Sequence, residues 1–94
     1  MENYIGEVAP VLTRWGMDMR KRGTAALLCC ACRARELAAL GIKWTAAEIV
    51  KEYAEYLGCS GLAVYVNMRN ALRHTGLTPA AALAKLAGRE EAAH

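Results

Sequence analysis

The chain contains no phenylalanine, only two prolines and a single aspartate, Asp18. Aromatic residues make up 6% against a hydrophobic share of 55%, so the interior is built mainly from small and aliphatic side chains. That composition favours close helix–helix packing over a bulky aromatic core. Few segments alternate apolar and polar residues as a half-buried strand does, which predicts an all-α fold. The longest apolar stretch, residues 25–32, is far too short to span a bilayer, which takes about 20 residues. No basic segment leads into an apolar run at the N-terminus, so no secretory signal is recognised. The expectation is a cytoplasmic protein, with no membrane partner and with reduced cysteines. Catalysis also has little to draw on. With one Asp and two His, nothing pairs a nucleophile with a base and an orienting group, and no glycine-rich phosphate loop is present. No catalytic residue is assigned, no cofactor is expected, and the chain is not expected to be an enzyme.

What is present is positive charge, unevenly spread. Twelve Lys and Arg against nine Asp and Glu give +3 and a pI near 8.8. Arg14, Arg20, Lys21, Arg22, Arg33 and Arg35 fall in the first 35 residues, opposed there by Glu2, Glu7 and Asp18. No acid occurs in residues 56–88, which contain Arg69, Arg73 and Lys85. Brought together by folding, the two zones form a cationic surface suited to a polyanion.

Ninety-four residues make one domain, 1–94, with a modest core. Glycines at 16, 23, 41, 58, 76 and 88 punctuate it, several where a helix C-terminus needs a left-handed residue. The first helix is expected within residues 3–15, with Pro10 either kinking it or opening its regular part. A loop carrying "RKR" at 20–22 follows, then a long helix from about Thr24 to Leu40. In "WTAAEI", Thr45 and Glu48 have capping-box spacing, and Trp44 and Ile49 that of a hydrophobic staple. This helix is expected to end at Gly58. The next is expected to start near Ser60 and end before Gly76. Thr78 and Pro79 then open a short Ala/Leu helix ending near Gly88. Residues 1–7 and 89–94 are expected to fray. Five or six helices thus form one compact unit.

The two helices joined by "LGCSG" have the pattern of a helix–turn–helix. In the first, Ile49, Val50, Tyr53, Ala54 and Leu57 form an apolar stripe. Gly58 permits the turn, and Cys59 is expected to pack inward as a small apolar group. In the second, Val64, Met68, Ala71, Leu72 and Thr75 share one face, leaving Leu62, Ala63, Val66, Arg69, Asn70 and Arg73 on the other.

From "LTRWGMDMRKRG" through "VYVNMRNALRH" the chain resembles the C-terminal DNA-binding domain of the stage-zero sporulation response regulator of endospore-forming bacteria. In that family a Gly, six residues and another Gly lead into a helix, the spacing of Gly16 and Gly23. Met17 and Asp18 stand where the family often has an apolar residue and proline. Val64, Met68–Arg69 and Ala71–Leu72 match in kind the family's Val, Ile–Arg and Ala–Ile positions on its recognition helix. The resemblance covers residues 8–76 and implies a DNA-binding transcriptional regulator with a recognition helix at about 60–75 in the major groove. The family has a phosphorylated receiver domain ahead of this one. With the chain beginning at Met1, phosphorylation control is expected to be lost or to lie on a separate regulator protein.

The departures matter. The family has polar and charged residues, including DNA-contacting arginines, where this chain has Leu62, Ala63, Tyr65 and Val66, so bidentate guanine readout is missing there. What remains is Ala63 and Val66 for thymine methyl groups, Asn70 for adenine, and Arg20, Lys21, Arg22, Arg69 and Arg73 for phosphates. The expected target is double-stranded DNA with an A·T-leaning site, bound by a homodimer on paired half-sites about one helical turn apart. Against this stands the row Glu48, Glu52 and Glu55, which cannot point at phosphates and is expected to be a solvated face. The rival reading is a protein-interaction module on the same scaffold, docking through Leu62, Tyr65 and Val66 unless the C-terminal helix covers them. A third is a metal or redox sensor using Cys29, Cys30, Cys32 and Cys59. Their spacing lacks a metal-binding knuckle, so no metal ligand is assigned and packing thiols are expected.

Overall fold

The computed structural model describes residues 2–88, all of whose regular structure is helical. In chain order the helices are α1 (Glu2–Arg14), α2 (Arg22–Ala39), α3 (Ala46–Leu57), α4 (Gly61–Ala71) and α5 (Pro79–Leu86), with a 3-10 turn at Arg73–Thr75 between the last two. The all-α expectation holds, with five α-helices among the described residues. Helix α1 is regular from Glu2 and runs through Pro10, which lies on its exposed side. Residues 89–94, expected to fray, lie outside the described residues.

Helix α2 is the hub, packing against α1, α3, α4 and α5. Its side chains Ala26, Leu27, Cys30, Ala31, Cys32 and Ala34 are all buried, and with Leu12, Met68, Leu72, Leu83 and Leu86 they make a core without phenylalanine. The small residues let the helices approach closely. At Gly23, on the α2–α4 crossing, a Cβ would overlap the Asn67 carbonyl and lie 2.9 Å from Ala71 Cβ. Beside it Thr24 is fully buried, with its hydroxyl unpartnered among the described residues. Arg35 ties three helices: Nε donates to the Leu86 carbonyl at 2.7 Å, and Nη1 lies 3.7 Å from Glu7.

Local signals set the helix ends. Thr45 Oγ1 accepts the Glu48 N–H at 3.2 Å while Glu48 Oε1 accepts the Thr45 N–H at 3.1 Å, closing the capping box. Trp44 and Ile49 are both buried, as a staple requires. Ser60 and Thr78 cap α4 and α5 in the same manner, each accepting an N–H three residues on at 3.1 Å. Gly58 ends α3 at φ 74°.

Four expectations need correction. Helix α2 begins at Arg22, with Lys21 as its N-cap, so only part of the basic run is loop. The proposed recognition helix is α-helical only to Ala71. Beyond it Thr75 N–H and Oγ1 both reach back to the Leu72 carbonyl, at 2.8 and 2.6 Å, and Gly76 reverses the chain at φ 74°. Leu57, assigned to the inward stripe of α3, is exposed. So is Cys59, because the turn at Gly58 leaves it outside the core.

Candidate nucleic-acid interface

Helix α4 presents the inward face anticipated for it, with Val64, Met68, Ala71 and Leu72 buried and Thr75 half-buried. The opposite face is open. Ala63, Asn67, Arg69, Asn70 and Arg73 are exposed, and Val66 is half-buried. The α2–α4 crossing at Gly23 brings the start of α2 alongside this helix. A groove of about 470 Å³ between them is lined by Arg22 from α2, Tyr53 and Leu57 from α3, and Ala63 and Asn67 from α4. At the far end of α4, His74 Nε2 lies 2.9 Å from the Trp15 carbonyl. A carbonyl only accepts, so Nε2 holds the proton and closes one of the open acceptors at the end of α1. Gly16, at φ 73°, leaves room there, the imidazole being 3.7 Å from where its Cβ would stand. The Gly16–Gly23 spacing thus has two physical causes, a left-handed helix stop and a tight crossing.

Among the phosphate candidates, Lys21, Arg22 and Arg69 make no ion pair among the described residues, and all three are exposed. Arg20 is engaged: its Nε and Nη2 donate to the two Asp18 carboxylate oxygens at 3.1 and 3.3 Å. The hydrogen bonds from Arg20 hold the Asp18 carboxyl below its ordinary range. Arg73 sits on the 3-10 turn, its Nη2 donating to Asn70 Oδ1 at 3.4 Å. Asn70, the adenine candidate, is therefore partly occupied. Asn67, not singled out in the sequence, shares the groove with Ala63 and Arg22. The signal for it was its position one turn beyond Ala63.

The expected joining of the two basic zones is only partial. Arg33 and Arg35 are drawn into the framework instead, Arg33 Nε donating to Glu52 at 2.9 Å and Arg35 Nε to the Leu86 carbonyl at 2.7 Å, with Arg35 Nη1 3.7 Å from Glu7 in an ion pair. The acidic row on α3 is exposed along its length, as expected: Glu48, Glu52 and Glu55 all face solvent, Glu48 closing the capping box and Glu52 paired with Arg33.

The cysteines mostly line the interior. Cys30 and Cys32 are buried, and Cys29 is half-buried. Burial pushes the Cys30 thiol up to about 12, helped by neighbouring Cys29, and also raises Cys29 and Cys32. Such thiols stay protonated near neutrality and are weak nucleophiles. Among the described residues no three His, Cys, Asp or Glu side chains are grouped to hold a metal ion, and no helix is long and apolar enough to cross a membrane.

Leu62 and Tyr65 are not covered by α5, whose Leu83 and Leu86 are spent on the core. They stand on the flank of α4 away from Ala63 and Asn67, beside the first residues of α3 and α5. No family model, curated protein or solved structure matches the chain.

Proposed function

We propose that this chain is a DNA-binding transcriptional regulator in which α3 and α4 act as a helix–turn–helix, as the resemblance to the sporulation regulator's effector domain implies. One observation carries the reading. The outward face of α4 is open along Ala63, Asn67, Asn70 and Arg73, and the Gly23 crossing sets the unpaired Arg22 next to it. In this scheme Lys21, Arg22, Arg69 and Arg73 hold phosphates, and Arg20 joins them on leaving Asp18. Ala63 and Val66 meet thymine methyl groups, and Asn70 and Asn67 supply the amides for adenine. Affinity then comes mainly from the backbone, and selectivity is modest and A·T-leaning. A single domain of this size binds weakly, so a homodimer on paired half-sites is part of the proposal.

The test is a polarisation titration of mixed-sequence duplex at two salt concentrations. The Arg20, Lys21, Arg22 triple-alanine chain is expected to bind every duplex more weakly. Its plot of log affinity against log salt is expected to flatten by about 0.9 for each phosphate that is no longer neutralised. An unchanged slope removes residues 20–22 from the interface, and absence of salt-sensitive binding by the parent chain removes the function.

A further inference from the structure

Helix α4 and the turn after it are pinned to the amino-terminal part of the chain at two points. The Asn67 backbone packs on Gly23 at the start of α2, and seven residues on, His74 Nε2 donates to the Trp15 carbonyl at the end of α1. Seven residues of helix advance about 10 Å, close to the axial rise of three nucleotides of one strand. The chain from Trp15 to Gly23 connects the two points, so the α1–α2 junction borders the carboxyl-terminal half of α4.

One sign of charge collects along this border. Arg14, in the last turn of α1, immediately precedes Trp15 and is exposed, with no ion pair among the described residues. Arg73 immediately precedes His74, with Arg69 one turn before it, and Arg20, Lys21 and Arg22 lie on the connecting chain. Against these six cations stands one acid of the same segments, Asp18, already held by Arg20. Glu7 lies two turns back along α1 and is paired with Arg35. Like charges gathered in this way repel one another, and a string of phosphates relieves the repulsion. The first helix of a helix–turn–helix ordinarily crosses the DNA backbone. Here that helix is α3, and its exposed Glu55 makes no ion pair among the described residues, so a phosphate beside it meets an uncompensated like charge.

We propose that the α1–α2 junction replaces α3 as the element that crosses the duplex backbone, with Arg14 as a further phosphate contact and α3 held clear of the strand. The inference rests on the DNA-binding reading and deepens it, because it fixes which side of the domain the strand follows.

The test is a polarisation titration of mixed-sequence duplex over a series of salt concentrations, with the full chain and its Arg14→Ala, Arg14→Gln and Glu55→Gln variants. Both positions are exposed, and circular dichroism melting checks that each variant is folded. Arg14→Ala is expected to bind several-fold more weakly at low salt, with a slope of log affinity against log salt shallower by about 0.9. Arg14→Gln keeps much of the alkyl stem and is expected to match it, which separates lost charge from lost packing. Glu55→Gln is expected to leave affinity and slope unchanged at about 0.1 M salt, where a charge more than about 10 Å from the strand is screened. A parent-like slope in both Arg14 variants overturns the proposal. So does tighter binding with a steeper slope in Glu55→Gln, which puts α3 on the backbone. Either result leaves DNA binding standing, whereas absence of salt-sensitive binding by the parent chain removes that reading and this inference together.

Discussion

At position 23 a single hydrogen separates the observed fold from a clash. A methyl group there meets the backbone carbonyl of Asn67, which no rotamer change can move, so α2 and α4 have to part. Gly23→Ala is expected to cost about 3 kcal/mol, and to lower the melting midpoint by more than roughly 10 °C. Gly6, in the exposed part of α1, is the contrast. Nothing lies within 4 Å of a Cβ built on it, and its backbone needs no left-handed angle. Gly6→Ala is expected to raise stability by roughly 0.5–1 kcal/mol through helix propensity alone. If both variants melt alike, the crossing is not as tight as described. Cys30 gives a second residue-scale expectation. Its thiol ionises at about 12 when folded against an ordinary 9.0. The raised value means the folded form prefers the protonated thiol, a preference fully effective below pH 9 and lost as pH climbs toward 12. The melting midpoint should fall across that window, and the alkaline limb should be shallower in Cys30→Ala. A parallel limb in that variant assigns the alkaline loss to other groups.

Among the elements, α3 owes its start to one reciprocal pair of hydrogen bonds. Thr45→Ala opens the capping box, and is expected to cost about 1 kcal/mol, a fall of roughly 4–8 °C in the melting midpoint. A midpoint unchanged within 1–2 °C would mean that Trp44 and Ile49 hold the helix start without it. This element was legible in advance because its signals lie within six consecutive residues. So was the buried face of α4, since Val64, Met68, Ala71 and Leu72 follow helical spacing. The end of α4 was less legible. Arg73 continues the periodicity, and the Thr75 hydroxyl that turns the chain back to Leu72 leaves no mark on an apolar pattern. Leu57 and Cys59 were misassigned for a related reason: periodicity says which residues share a face, but not where neighbouring helices stop covering it. The candidate site was legible residue by residue and only partly as a surface. Which arginines stay unpaired depends on partners distant in sequence, such as Glu52 for Arg33 and Leu86 for Arg35.

For the molecule as a whole, the balance between framework and function is a balance of ion pairs. Asp18 holds one arginine of the basic run in reserve. Asp18→Asn keeps the local turn, its side-chain oxygen still able to accept the Arg20 N–H, but frees the guanidinium. On the DNA-binding reading this variant should bind mixed-sequence duplex more tightly at low salt. Its salt slope should steepen by up to about 0.9, the value for one further phosphate neutralised. A parent-like slope in Asp18→Asn would place Arg20 outside the duplex footprint.

The position of α2 at the hub has a consequence for biosynthesis. Its partners α4 and α5 are encoded after it, so as the chain emerges from the ribosome α2 waits with Leu27, Cys30 and Ala31 uncovered. A released fragment of residues 1–45, in which α1 is the one helix left to pack on α2, is expected to be cut by protease under conditions where the full chain resists.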